Sequence, residues 1–200
     1  MSTDELHKMR HSLAHIMAQA VQHLWPQAKF GVGPAIDDGF YYDIDLGGAT
    51  ISEDDFPKIE KEMKKIIAAN YPFERRDVPI EDAIAWAENN HQVFKLELLN
   101  DLKRSGTTVA KELVGEDLGS VTDRDSKLKT VSLYSQGDYT DLCRGGHADS
   151  TGKVGAFKLM RVAGAYWRGD EKRQQMQRLY GVTFATYKEL DDYLKKTGAS

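Results

Sequence analysis

The first 24 residues place the tightest constraint on the fold. Leu6, Met9, Leu13, Ile16, Met17, Ala20 and Leu24 recur at the three-and-four spacing of a buried stripe, which predicts an amphipathic helix. His11 and His15 lie four apart on that helix, on one face, with Cβ atoms ~6 Å apart. At ~100° per residue that face is nearly opposite the stripe, beside Ala14 and Ala18. Either the imidazoles sit in water without a role, or a second layer closes over them and makes a cleft. A helical His-x-x-x-His pair is weak as a site signal by itself. A second pair at the same spacing, Cys143-Arg-Gly-Gly-His147, follows far downstream on a glycine-rich stretch.

The chain has 200 residues, 40% of them hydrophobic, enough for one sizeable core or two small lobes packed together. A net charge of −4 argues against nucleic-acid binding by charge alone. Charge is nevertheless uneven: between residues 150 and 180, Lys153, Lys158, Arg161, Arg168, Lys172, Arg173 and Arg178 face only Asp170 and Glu171. That excess suits a phosphate backbone or a solvated surface equally well. Cys143 is the single cysteine, so no internal disulfide forms and a reducing cytoplasm is expected. No signal-peptide core and no apolar run of ~20 residues appears.

Trp25-Pro26 ends the first helix, and Lys29–Val32 reads as a short strand broken by Gly33-Pro34. Asp37-Asp38-Gly39 is a hairpin signal before a strand over 40–45. Ser52 and Asp55 form a capping box ahead of a helix to about Asn70. A strand over 73–78 follows, then a helix opened by Pro79, then a helix over 92–103 that carries Lys95. Residues 105–125 read as loops with a helical turn near 110–114, 129–134 as a strand, and 137–147 as a polar loop. Strands over 157–162 and 174–180, joined by Ala163–Asp170, and a last helix capped at Thr186 complete the pattern. The expected class is α+β: a largely antiparallel sheet flanked by helices, with a cleft between the first helix and the Cys-x-x-x-His loop.

Three imidazoles and one thiol match the ligand chemistry of zinc, so His11, His15, Cys143 and His147 form a candidate metal set. Without metal, the same groups can position a water and a polar substrate, with a histidine or lysine taking the proton. A cysteine nucleophile is the third possibility.

Four ordered motifs carry a family resemblance: the His11–His15 stretch, Gly33-Pro34…Asp37…Gly39-Phe-Tyr-Tyr-Asp43, Asp141-Leu-Cys-Arg-Gly-Gly-His147, and Phe157-Lys-Leu-Met…Ala163-Gly-Ala-Tyr-Trp-Arg-Gly-Asp170…Gln177-Arg-Leu-Tyr-Gly181. Together, from about residue 6 to 195, they resemble the editing domain of bacterial threonyl-tRNA synthetase. One domain over 1–195 is expected, with roughly 52–125 as a helical sub-region and 196–200 as a tail.

The resemblance implies hydrolysis of serine wrongly esterified to threonine tRNA. One missing methyl is worth only ~1–3 kcal/mol of discrimination, so a second site must remove the error. It implies that His11, His15, Cys143 and His147 line the cleft and that Lys95 is the catalytic lysine. Asp141 would hold the serine ammonium or hydroxyl, Tyr42 would contact the terminal adenosine, and Arg144 is a further substrate-binding candidate. Lys95 acts as a base only if burial or neighbouring cations favour its neutral form; otherwise it stabilises an oxyanion. The threonyl type implies no cofactor. The family usually carries proline where Gly146 stands, and related alanine-specific editing proteins hold Zn2+ on a similar set, which keeps a zinc-dependent alanyl-type deacylase as the alternative. A non-catalytic module for the tRNA acceptor end is a third reading. Expected partners are the serine-bearing acceptor end and further synthetase domains of a parent chain, with no membrane. The chain reads as an excised domain or a free-standing factor, its last helix cut mid-pattern.

Overall fold

A computed structural model describes residues 1–105 and 130–198. The first helix, α1, spans Thr3–Leu24, with Ser2 as N-cap accepting from Glu5 N (3.1 Å). Short strands β1 (Lys29–Phe30) and β2 (Ala35–Ile36) precede β3 (Gly39–Asp45). β1 is shorter than expected by assignment only, because Gly31 N and Val32 O continue pairing with Asp43. The capping box at Ser52 and Asp55 opens a 3-10 turn, and α2 follows over Phe56–Ala69 with Pro57 in its first turn, where no N–H is needed.

Next come β4 (Glu74–Pro79), α3 (Ile80–Asn89) and α4 (Val93–Ser105). The helical turn expected at 110–114 lies outside the described residues. β5 covers Thr130–Gln136. The polar loop expected over 137–147 is corrected in its first half: Tyr139–Leu142 forms β6, hairpinned onto β5 through the two-residue turn Gly137-Asp138, with Gly137 at φ +60°. Such a Gly-Asp pair between extended segments is a two-residue hairpin signal. β7 (Ala156–Tyr166) and β8 (Gln175–Phe184) are longer than expected, so much of the predicted connection is strand, ending in a 3-10 turn at Trp167–Gly169. α5 (Tyr187–Thr197) is capped by Thr186 and closes on Gly198 at φ +72°, a regular helix end in place of the expected mid-helix cut.

The architecture is α+β. One sheet runs β1-β3-β8-β7 with β2 also on β3; the other runs β4-β5-β6, and every strand pairing among the described residues is antiparallel. The first core packs α1 and α2 on the inner face of the larger sheet, through Leu13, Ile16, Met17, Ile59, Met63, Phe40, Ile44 and Leu179. The second packs α3 and α4 on the smaller sheet, through Leu98, Leu99, Leu102, Val131, Leu133 and Leu142, with Trp167 and Met176 added from the β7–β8 end. Each fully buried large aliphatic contributes roughly 1.5–3 kcal/mol.

α1 is buried all round over its middle, because a second layer does cover the face opposite its apolar stripe. The β5–β6 hairpin forms part of that layer: Gln136 Nε2 donates to His15 O (3.1 Å) and Gln19 Nε2 to Asp138 Oδ1 (2.9 Å). The segment after β6 forms the rest. His23 adds a clasp, its ring nitrogens 2.8 Å from Glu62 Oε1 and 2.8 Å from Asp138 Oδ1.

Gly33 fixes the position of one site residue. A Cβ there would fall 2.1 Å from Tyr42 Cδ2, so only glycine lets the Tyr42 ring lie against this backbone. Gly33→Ala is expected to cost about 1–3 kcal/mol by overpacking. The check is a chemical-denaturation midpoint alongside the Tyr42 ring signals; an unchanged ring environment would show that the contact is dispensable.

Candidate active site

The two histidine-bearing segments meet. His11 and His15 come from α1, and Cys143 and His147 from the loop that leaves β6; one donor atom from each lies within 4.8 Å of all the others. Cys143 Sγ is 3.5 Å from His11 Nε2 and 3.4 Å from His147 Nε2, and accepts from Gly145 N at 3.4 Å. Gly145 (φ +128°) and Gly146 (φ +83°) turn the loop back on itself in a conformation closed to proline, so the glycine at 146 suits the loop as it stands. His147 stacks on the His11 ring (4.2 Å between centroids) and on Phe73 (4.7 Å).

Beside this cluster is a buried charged group. Lys95, in the first turn of α4, is 1% exposed, and its Nζ is 3.0 Å from Asp141 Oδ1 without good hydrogen-bond geometry. Asp141, on β6, also accepts from the Tyr42 hydroxyl and from Tyr139 Oη (3.3 Å), and Leu142 N donates to its Oδ1 (2.8 Å). His15 Nδ1 is 3.6 Å from Asp141 Oδ2, yet neither ring nitrogen of this fully buried histidine has a hydrogen-bond partner among the described residues. The ammonium of Lys95 also sits 5.5 Å from the centroid of the Tyr42 ring. A cavity of about 190 Å³ reaches this group, lined by Lys95, Asp141, Tyr139, Thr140, Gln22 and Trp86. Another, of about 410 Å³, is lined by His147, Ala148, Lys8 and Lys153 among others.

The imidazoles are held neutral. Burial, then the neighbouring His7, pushes His11 down to about 4, against weaker opposition from the Gly146 and Gly145 backbone and Asp141. Burial lowers His15 well below the usual histidine value, helped by His11 and Lys95, and lowers His147 likewise, helped by His15 and His11. At neutral pH each ring therefore offers a lone pair.

Of the residues expected in the cleft, His11, His15, Cys143 and His147 come together and Lys95 and Asp141 lie beside them. Tyr42 is fully buried and stands behind Asp141, and Arg144 is half-buried in the loop, its carbonyl 3.5 Å from Arg75 Nη1. Three contributors were not singled out in the sequence: Tyr139, Phe73 and Ser12, whose Oγ is 3.2 Å from His147 Nδ1. Tyr139 carries a recoverable signal, since it alternates with Asp141 on a strand and so shares its face. Of the basic excess after residue 150, part is internally neutralised: Arg168 pairs with Glu97 and Asp101, Arg173 with Glu97, and Arg178 with Asp43.

Residues 131–180 match the family described as threonyl and alanyl tRNA synthetase second additional domain. The relatives narrow the class. The chain is 46% identical over 187 residues to the threonine–tRNA ligase of Acetivibrio thermocellus, covering 94% of the chain and 26% of the relative. It is 44% identical over 195 residues to that of Pelobacter propionicus, covering 98% and 27%. It thus spans about a quarter of the length of the curated relatives it matches. Over nearly its whole length the chain is similar to one part of these threonine–tRNA ligases. Among the described residues no helix is long and apolar enough to cross a membrane.

Proposed function

We propose that this domain hydrolyses the ester of serine mischarged on threonine tRNA. The observation that carries the reading is the buried Lys95–Asp141 pair beside the neutral histidine–cysteine cluster, with a cavity reaching both charged groups. Asp141 binds the ammonium or hydroxyl of serine. Lys95 meets a carboxylate, not another cation, so its role is to stabilise the oxyanion that develops on the ester carbonyl. A neutral His11 accepts the proton of the attacking water as the carbon–oxygen bond forms. The bond to the ribose oxygen then breaks, and the proton passes to that oxygen. His15, Cys143 and His147 hold the water and the base in place. Tyr42 is assigned to orienting Asp141, and Arg144 to the approaching tRNA end.

The test is release of serine from seryl-tRNA against release of threonine from threonyl-tRNA, with and without chelator. Hydrolysis of seryl-tRNA no faster than in buffer would end this reading, and turnover unaffected by chelator is expected.

One observation favours a second reading, zinc-dependent deacylation of alanyl type. The sulfur–nitrogen separations of 3.4 and 3.5 Å match the ~3.5 Å edge of a tetrahedron built on Zn–S ~2.3 Å and Zn–N ~2.0–2.1 Å. The donor chemistry fits as well, because His15 has bare buried nitrogens and all three rings are neutral. His11, His15, Cys143 and His147 would hold the ion, which when bound polarises a carbonyl or activates water. Stoichiometric zinc in protein purified without chelator, with activity lost on stripping, would favour this reading.

A further inference from the structure

We propose that Ser12 is a positioning residue that holds His147 in one tautomer, with the proton on Nε2 facing Cys143 and the lone pair on Nδ1. Ser12 lies on α1 beside His11 and is fully buried. Its Oγ is 2.8 Å from Ala148 N and 3.2 Å from His147 Nδ1. The backbone N–H of Ala148 can only donate, so the hydroxyl accepts there and has one proton of its own to place. Among the described residues His147 Nδ1 is the one remaining partner of that hydroxyl.

Counting protons separates the two tautomers. Suppose Nδ1 carried the proton. Ser12 would then accept twice, and its own O–H would be buried without an acceptor, which is costly. His147 Nε2 would also compete with Gly145 O for the single thiol proton of Cys143. With the proton on Nε2 the network closes. Ala148 N–H donates to Ser12, Ser12 donates to His147 Nδ1, His147 Nε2–H donates to the sulfur, and the thiol proton turns to Gly145 O (3.8 Å), which leaves the His11 ring able to accept a proton. Gly145 N–H supplies the sulfur with a further donor.

The consequence is a choice between the two chemistries of the site. A donor on Nε2 makes His147 a support for Cys143 and prevents it from ligating zinc through that atom. Metal entry would require the proton to cross to Nδ1 and the Ser12 hydroxyl to turn away. The catalytic significance rests on the metal-free reading above; the tautomer itself does not, so the two can fail separately.

The test is nitrogen NMR of the whole chain with labelled histidine, metal-free and at neutral pH. Wild type is expected to show His147 with a bare Nδ1 and a protonated Nε2. Ser12→Thr, which keeps the hydroxyl, should preserve that pattern, and Ser12→Ala should shift His147 toward a mixture of tautomers. A protonated Nδ1 in the wild-type chain overturns the proposal, whether or not the alanine variant folds. So does an unchanged His147 spectrum in a folded Ser12→Ala chain. Zinc titration followed through the same signals gives a second readout: loading should move the His147 proton to Nδ1 and should need less zinc in Ser12→Ala than in wild type. An equal or greater zinc requirement in the alanine variant argues against a lock at Ser12.

Discussion

Lys95→Met is expected to abolish hydrolysis of seryl-tRNA, lowering the rate by a factor of ~10²–10³, the usual effect of removing one preorganised oxyanion donor. The same change should destabilise the fold by about 3–5 kcal/mol, because it leaves half of a buried ion pair behind. Asp141 is fully buried, and the Tyr42 and Tyr139 hydroxyls with Leu142 N supply hydrogen bonds but no countercharge. The two effects can be separated. Adding Asp141→Asn to Lys95→Met removes the orphaned charge, so stability should recover in part while hydrolysis stays lost. A single Lys95→Met variant with wild-type turnover would remove the lysine from the mechanism. Recovery of turnover together with stability in the double variant would reduce its role to a structural one.

The second large effect is acid lability. His11, His15 and His147 are all lowered, in each case chiefly by burial. In the unfolded chain each returns to about 6.5. Below that value the unfolded state binds protons that the folded state refuses, so stability is fully present above about pH 6.5 and is lost as pH falls. For His11 alone, whose folded value is about 4, the window amounts to roughly 3 kcal/mol. The other two histidines act in the same direction, against a total stability of about 5–15 kcal/mol for an ordinary domain. Denaturation midpoints at pH 7, 5.5 and 4.5 should therefore fall steeply, and His11→Gln should flatten the slope. Equal midpoints at pH 7 and 5 would mean that the rings are not held neutral by the fold.

Much of this site was legible before any coordinates, and the reason differs from residue to residue. His11 and His15 were legible because helical periodicity fixes faces: a pair opposite the apolar stripe needs a partner layer or has none. What periodicity could not supply was the identity of that layer. The β5–β6 hairpin that provides it has a four-residue second strand, short and polar enough to pass for loop. Gly137-Asp138 is the local cue to it. Lys95 carried a signal of its own, since Leu98, Leu99 and Leu102 stand three, four and seven positions on, all buried. A lysine at the head of such a stripe is a charge placed in a core, which points to a partner or a role. Ser12 had no comparable mark. Its importance lies in hydrogen bonds to residues 147 and 148, and contacts spanning more than a hundred positions leave no local pattern.

The Asp141 carboxylate joins a tyrosine from the larger sheet, a lysine from the helical layer and the backbone of its own hairpin. Neither half of the molecule owns this buried charge cluster. It exists only while both cores are docked across one anion, so a fragment carrying either sheet, even well folded, would lack it.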